Sequence, residues 1–212
     1  MTARTLVMGD WSRRGIRDPI DLLRLALLVG AVVCAVTGPA TGAGYLAFST
    51  LATFGARLAN LPRVLDLSFV VAMSLTGWGE AFGAYDAYPW FDRVVHFLVP
   101  LLGAPVAYIG LARLDVLPDP RDETTRRHHM GMFVVTLALG LAIGAFWEVV
   151  EWTSDGTLGS NLSEGNDDTV GDLIADGSGS LVGALGLVLW STRGWGSVRR
   201  IPGENRYEAT DD

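Results

Sequence analysis

Two long stretches of this chain contain no charged residue. One runs from Leu25 to Ala56 and the other from Gly131 to Trp147. A membrane-spanning helix needs about 20 consecutive, mostly apolar residues, whereas an amphipathic helix of a soluble protein carries polar residues along one face. Half of the 212 residues are hydrophobic, and the mean hydropathy is +0.32. The sequence therefore predicts an all-α, polytopic membrane helix bundle.

Glycine, proline and charged residues divide the apolar sequence into six predicted transmembrane helices. The second of them gives the weakest signal, because it is rich in Gly, Ala, Ser and Thr. The six predicted spans are Ile20–Gly38, Gly44–Leu61, Leu65–Phe82, Phe91–Leu111, His129–Glu151 and Thr169–Ser191. This count predicts an N-terminal segment at residues 1–19, the helix bundle at 20–191 and a polar tail at 192–212.

The distribution of basic residues predicts the orientation. All 16 of them are arginine, and cytoplasmic loops of membrane proteins carry an excess of such residues. With six spans, only Arg93 falls on the opposite side, which predicts a multi-pass protein with both termini in the cytoplasm. An export signal at Arg13-Arg14 is an alternative, but a second apolar segment follows, which favours a membrane anchor. The arginines on the cytoplasmic side are Arg4, Arg13, Arg14, Arg17, Arg24, Arg57, Arg63, Arg113, Arg121, Arg126, Arg127, Arg193, Arg199, Arg200 and Arg206.

Composition also limits the partners. The net charge of −7 gives no indication of nucleic-acid binding. Cys34 is the only cysteine, so the chain has no intrachain disulfide. Membrane lipids are the predicted partners. A lipid or lipid-linked substrate is expected if the polar site described next faces the membrane interface, and the sequence leaves the oligomeric state open.

Ionisable residues occur inside or at the ends of three predicted spans, all toward the periplasmic end. They are Asp92, His96, Glu148, Glu151, Asp168, Asp172 and Asp176. Neighbours in this series on the same span are three or four residues apart, so they share a helix face. An ionisable group at the centre of a membrane helix costs about 2.5–3.5 kcal/mol. We therefore expect these side chains to face a partner, a cavity or an ion.

Carboxylates with a single histidine suit a divalent cation such as Mg²⁺, Mn²⁺, Zn²⁺ or Ca²⁺. The chain has no lysine, and Arg93 is the one candidate for a buried arginine. All seven residues are therefore predicted metal ligands, with His96 or Glu148 as a general base. Alternatives stay open for single residues: Asp168 as a helix N-cap, His96 as a packing residue, and Glu151 facing the outer water.

Two pairs of glycines predict close helix packing. Gly140 and Gly144 lie four residues apart in the fifth span, as do Gly179 and Gly183 in the sixth. Small residues at this spacing let membrane helices approach closely. We expect the fifth span to pack against the sixth.

Several of these residues, with their neighbours, resemble motifs of two known families of membrane proteins. Gly83-Ala84-Tyr85-Asp86, Trp90-Phe91-Asp92 with His96, Trp147-Glu148 with Glu151-Trp152, and Asp168-Thr169 with Asp172 resemble the YjdF-like family of bacterial inner-membrane proteins. The likeness covers about Leu25 to Trp190 and implies a polytopic inner-membrane protein. The order of His, Glu-x-x-acid and Asp is also similar to VanZ-like membrane proteins, although Glu151 and Asp176 stand where those often have Gln or Asn. That likeness implies cell-envelope or lipid-linked chemistry.

Three classes of function fit this pattern. The first is a metal-dependent enzyme at the outer leaflet. The second is a cation- or proton-coupled transporter, but the segment Leu181–Trp190 has no charged group, which favours a one-sided pocket over a pore. The third is a structural or assembly protein whose polar network locks the bundle.

Overall fold

The computed structural model describes residues 19–38, 40–59, 61, 63–120, 126–158, 162–163 and 165–193. Within them the chain forms six long helices and one short helix, which confirms the predicted all-α bundle. The helices are α1 Pro19–Thr37, α2 Ala40–Leu58, α3 Arg63–Ala81, α4 Ala84–Ala87, α5 Phe91–Arg113, α6 His128–Leu158 and α7 Asn166–Arg193. The Arg13-Arg14 pair and almost all of the predicted terminal segments lie outside the described residues.

Four of the described helices are long and apolar enough to cross a membrane, namely α1, α5, α6 and α7. The predicted second and third spans correspond to α2 and α3, which have 19 residues each. These two helices do not reach the same standard of length and composition, so their crossing of the membrane stays a prediction.

Consecutive long helices run in opposite directions. Near the start of α1, the guanidinium of Arg24 donates a hydrogen bond to the carbonyl of Thr53, near the end of α2, at 3.1 Å. The same guanidinium pairs with Asp66 near the start of α3. At the other end of the bundle, Tyr45 early in α2 reaches Glu151 late in α6. The helix ends that carry most arginines therefore meet at one end, and the acidic series lies at the other.

Two glycines of α7 lie directly against the backbone of α5. A Cβ atom at Gly179 would overlap the carbonyl group of Phe97, and one at Gly183 would overlap that of Leu101. The predicted partner of this glycine pair was therefore wrong, because it faces the fourth predicted span and not the fifth. Pairing with α5 places the N-terminal half of α7 beside the first turns of α5.

The glycine pair of α6 does face α7, as predicted. A Cβ atom at Gly140 would overlap the side chain of Ser180, and one at Gly144 would overlap the carboxylate of Asp176. Here the space that glycine leaves is occupied by a polar side chain of the neighbouring helix. The Asp176 carboxylate can take this position only because residue 144 of α6 is glycine.

A buried ionic cluster, which we call the Arg24 cluster, joins α1, α2 and α3. Arg24 is 1% exposed and donates to Asp21 at 2.8 Å and to Asp66. Arg57 completes it with two hydrogen bonds of 2.8 Å to Asp21. These four described residues carry two positive and two negative groups. The expectation that Arg93 is the buried arginine was wrong, because Arg93 is exposed.

We predict that Gly179→Ala destabilises the protein by about 1–3 kcal/mol, because the added methyl group meets a backbone carbonyl that cannot rotate away. The matched control is Gly186→Ala in the same helix, where the added Cβ meets nothing within 4 Å. The control should be neutral or stabilising by up to about 1 kcal/mol, since alanine favours helix. Thermal unfolding of both variants in detergent measures the difference, and equal melting temperatures would contradict the packing.

We also predict that Arg24→Met lowers the free energy of unfolding by about 3–5 kcal/mol, because it removes the buried cation that pairs with Asp66 and leaves Asp21 without one of its two arginine partners. Arg127→Met at an exposed position should change it by less than about 0.5 kcal/mol. If Arg24→Met prevents folding, the double variant with Asp66→Asn should recover part of the lost stability. A loss no larger than that of Arg127→Met would show that the cluster does not hold the helices together.

Candidate metal centre

His96 is the centre of the predicted site. It lies in the second turn of α5 and is 3% exposed. Its Nδ1 atom lies 3.3 Å from Asp176 Oδ1 on α7 and 3.8 Å from Glu148 Oε1 on α6. Its Nε2 atom lies 3.6 Å from Asp92 Oδ1, one turn earlier on α5. Side chains from three helices therefore surround one imidazole.

Two sets of three residues are close enough to share a metal ion. In each set, one ligand atom of every residue lies within 4.8 Å of the others, and both sets contain His96. The sets are Asp92, His96 and Asp172, and His96, Glu148 and Glu151. With Asp176 at 3.3 Å from the ring, the structure brings together six of the seven predicted residues. We call these six the His96 cluster.

Asp168 is the predicted residue that stands apart. It lies in the first turn of α7, is half-exposed, and belongs to neither set of three. A carboxylate there interacts favourably with the positive end of the helix dipole. Asp168 lines the polar cavity described below, so it lies at the rim of the site.

Glu151 has hydrogen-bond donors of its own. Trp147 Nε1 donates to Glu151 Oε1 at 2.8 Å, and the Tyr45 hydroxyl donates to the same oxygen at 3.5 Å. Glu151 is 4% exposed, so the alternative that it faces the outer water is wrong. Sequence reasoning missed both aromatic residues, although the four-residue spacing of Trp147 and Glu151 is a usable signal.

Four polar atoms of the cluster are buried without a hydrogen-bond partner in the described part of the chain. They are His96 Nε2, Glu148 Oε1, Asp172 Oδ1 and Asp176 Oδ2. The residues that carry them are between 1% and 9% exposed. A buried polar atom without a partner costs about 1–3 kcal/mol, and more when it is charged. The donor set therefore fits a positively charged ligand.

The charge balance supports the same conclusion. The His96 cluster has five carboxylates and one imidazole, whereas the Arg24 cluster is neutral. The nearest arginine, Arg93, lies against Gly171 of α7, where a Cβ would be 2.9 Å from its Nη2 atom, and no ion pair of Arg93 occurs among the described residues. Within the described residues, His96 is the one basic side chain paired with these carboxylates.

Two cavities of opposite character are each lined in part by members of the His96 cluster. The apolar cavity, with a volume of about 350 Å³, lies between α2, α3, α5 and α6 and has His96 and Asp176 in its wall. The polar cavity, of about 750 Å³, lies at the predicted periplasmic end. Its lining includes Tyr45, Glu80, Tyr85, Asp86, Asp92, Arg93, Glu151 and Asp168. The cluster contributes side chains to both cavities.

The hydroxyl of Tyr85 adds a hydrogen-bond donor to the polar cavity. Burial raises the pKa of this hydroxyl well above its usual value, and the nearby carboxylates of Asp92 and Glu151 raise it further. The group therefore stays protonated at any physiological pH. Its ring packs edge-on against Tyr45 and Phe91, with centroids 5.8 and 5.0 Å apart.

A bundle of long apolar helices that encloses a buried acidic site defines an integral membrane protein. The chain belongs to the family described as predicted membrane protein (DUF2238), which matches residues 22–193. No curated protein and no solved structure matches the chain. The membrane location is thus established, and the resemblance to YjdF-like and VanZ-like proteins stays a prediction.

We predict that Asp172→Asn stabilises the protein by about 0.5–2 kcal/mol when a chelator is present. The change replaces one buried carboxylate of a cluster that contains five of them by a neutral amide, and single stabilising substitutions commonly contribute this amount. Asp167→Asn makes the same change at an exposed position in the first turn of α7, and it should be neutral or slightly destabilising because of the helix dipole. Thermal unfolding in EDTA measures the stability of both variants. If Asp172→Asn is less stable than the unaltered protein, the Asp172 carboxylate already has a stabilising partner within the protein.

Proposed function

We propose that this protein is a multi-pass protein of the bacterial inner membrane that binds a divalent cation at the His96 cluster and acts as a metal-dependent enzyme on a lipid or lipid-linked substrate. The observation that carries the proposal is the group of four buried atoms without hydrogen-bond partners around His96. A protein pays a stability cost for such atoms, and a bound cation would remove it.

The two nitrogen atoms of His96 indicate how the cation would be held. Histidines that bind metals commonly donate the hydrogen of the other ring nitrogen to a carboxylate. Asp176 is in this position, 3.3 Å from Nδ1, which leaves Nε2 as the ligand atom. Asp92 and Asp172 supply the carboxylates of the same set. One imidazole with carboxylates suits Zn²⁺ or Mn²⁺ better than Ca²⁺.

Glu148 is the best-placed general base. Its Oε1 atom is buried, has no hydrogen-bond partner among the described residues, and lies 3.8 Å from His96 Nδ1. Glu151 accepts hydrogen bonds from Trp147 and Tyr45, whereas the Glu148 carboxylate has a single hydrogen-bonding neighbour of this kind, the Thr169 side chain. A bound cation polarises a substrate oxygen or lowers the pKa of water, and Glu148 would accept the proton.

The cation site predicts a specific stability profile. Adding Zn²⁺ or Mn²⁺ to chelator-treated protein in detergent should raise the melting temperature, because a ligand at 100 times its Kd stabilises by about 2.7 kcal/mol. Elemental analysis should show retained metal in the unaltered protein and in Asp167→Asn. Asp172→Asn and His96→Gln should lose both the metal and the stabilisation. Absence of retained metal and of any stabilisation by Mg²⁺, Mn²⁺, Zn²⁺ and Ca²⁺ would end the proposal.

The enzymatic part has its own test. We expect purified protein, incubated with a bacterial membrane lipid extract and the cation, to consume a lipid species that mass spectrometry detects. Glu148→Gln should bind the metal but lower the rate by about 100-fold or more, as expected for loss of a general base, while Asp167→Asn keeps it. If the unaltered protein and Asp167→Asn bind the metal but consume no lipid, the protein binds an ion and the proposed enzymatic activity is wrong.

A further inference from the structure

The His96 cluster contributes to both cavities: His96 and Asp176 line the apolar cavity, and Asp92 and Glu151 line the polar one. A molecule that reaches the cluster from the membrane therefore meets apolar side chains along one part and charged side chains along another. We propose that the substrate is a lipid with a phosphate group, whose hydrocarbon chain lies in the apolar cavity and whose phosphate lies between Arg93 and the cation. This inference rests on the proposed cation site and names the class of its substrate.

Arg93 is the group that points to phosphate. It is the single arginine or lysine in the described part of this end of the bundle, and it lines the polar cavity. Four carboxylate residues besides Asp92 line the same cavity, namely Glu80, Asp86, Glu151 and Asp168, yet no ion pair of Arg93 with a described residue occurs. Its planar guanidinium matches the geometry of phosphate oxygens. Because Arg93 forms no ion pair with these described carboxylates, its guanidinium is available to an anionic ligand.

The apolar cavity points to a hydrocarbon chain. Its lining is almost entirely apolar apart from His96, Asp176 and Thr76. The Thr76 hydroxyl is already bonded to the carbonyl of Ala72 at 3.1 Å. Phe48 and Phe146, at 40% and 63% exposure, line the cavity where it reaches the outer surface of the bundle. A lipid chain can therefore enter sideways from the membrane.

The acidic lining explains why the phosphate needs the cation. Without a bound ion, the carboxylates of the polar cavity would repel an anionic headgroup. A divalent cation among Asp92, His96 and Asp172 reverses the sign of the local charge, and a phosphate bridging it to Arg93 would interact with both. Binding of the cation and binding of the phosphate lipid should therefore be coupled, each raising the affinity for the other.

The test uses hexadecyl phosphate with a photoreactive diazirine on its chain, added to the protein in a nonionic detergent, with Zn²⁺ or Mn²⁺ or with EDTA. The quantity measured is the mole fraction in the micelle that gives half-maximal cross-linking. Diazirine-labelled hexadecanol is the same chain without phosphate, and hexadecylammonium carries the opposite charge. Inorganic phosphate, added as a competitor, tests whether free phosphate alone occupies the site.

With cation, we expect hexadecyl phosphate to cross-link to peptides of α5 and α6 at about a tenfold lower mole fraction than hexadecanol, since charge-assisted hydrogen bonds contribute about this much. Arg93→Gln should remove that difference and leave hexadecanol unchanged. Arg127→Gln, at an exposed position of the other end, should have no effect. Ala142→Phe, which fills the apolar cavity, should weaken both chains, whereas Ala145→Phe, exposed and outside the cavity lining, should weaken neither.

Each alternative outcome has a distinct meaning. If Arg93→Gln keeps the preference for phosphate, or Ala142→Phe leaves cross-linking unchanged, the inference is wrong while the cation site stands on its own metal analysis. If hexadecylammonium binds better than hexadecyl phosphate in both conditions, the site takes an organic cation and the inference is wrong. If phosphate preference depends on Arg93 equally in EDTA and with metal, the phosphate lipid stands and the cation site fails. If inorganic phosphate competes fully, the site binds free phosphate, and the inference that its ligand is a lipid is wrong.

Discussion

The distance between α7 and its neighbours determines whether the acidic residues form a site at all. Gly179 and Gly183 leave no side chain between α7 and the backbone of α5, so the two helices are in direct contact. One turn before Gly179, the same helix presents Asp176, which this contact brings to His96. Gly144 of α6 leaves the space that the Asp176 carboxylate fills. A methyl group at any of these glycines would separate the ligand atoms that a shared ion requires.

The two buried ionic clusters at opposite ends of the bundle differ in their charge balance and in their hydrogen-bond partners. The Arg24 cluster pairs two arginines with two aspartates, and its short hydrogen bonds compensate the loss of hydration. Breaking such a pair is costly because the remaining charge stays buried. The His96 cluster has negative groups in excess and, among the described residues, four buried atoms without hydrogen-bond partners, which is the basis for proposing a bound cation there. One cluster is therefore suited to holding helices together, and the other to binding.

Long uncharged segments in the sequence predicted the class of fold. Helical spacing predicted which side chains of the His96 cluster share a helix face, because residues three or four apart do so whatever the rest of the chain does. Pairings between distant segments were missed. The contact of Arg24 with Asp66 joins residues 42 positions apart, and the partner of Gly179 depends on how α7 is rotated about its axis. The hydrogen bond from Trp147 to Glu151 was missed for another reason: tryptophan near a membrane surface is usually an anchor.

The core between the two clusters argues against a path for ions or protons. Its described buried side chains include hydroxyl groups but no acidic or basic group. Thr50, Thr136 and Ser180 each donate to the carbonyl four residues earlier in their own helix, at 2.6–2.7 Å, so these hydroxyls do not form a chain that passes protons from one helix to the next. The backbones of α5 and α7 are also in contact at Gly179 and Gly183, which leaves no space for a path between these two helices at that level. A pocket open toward one side of the membrane satisfies both constraints, and an enzyme acting on a lipid needs no more than that.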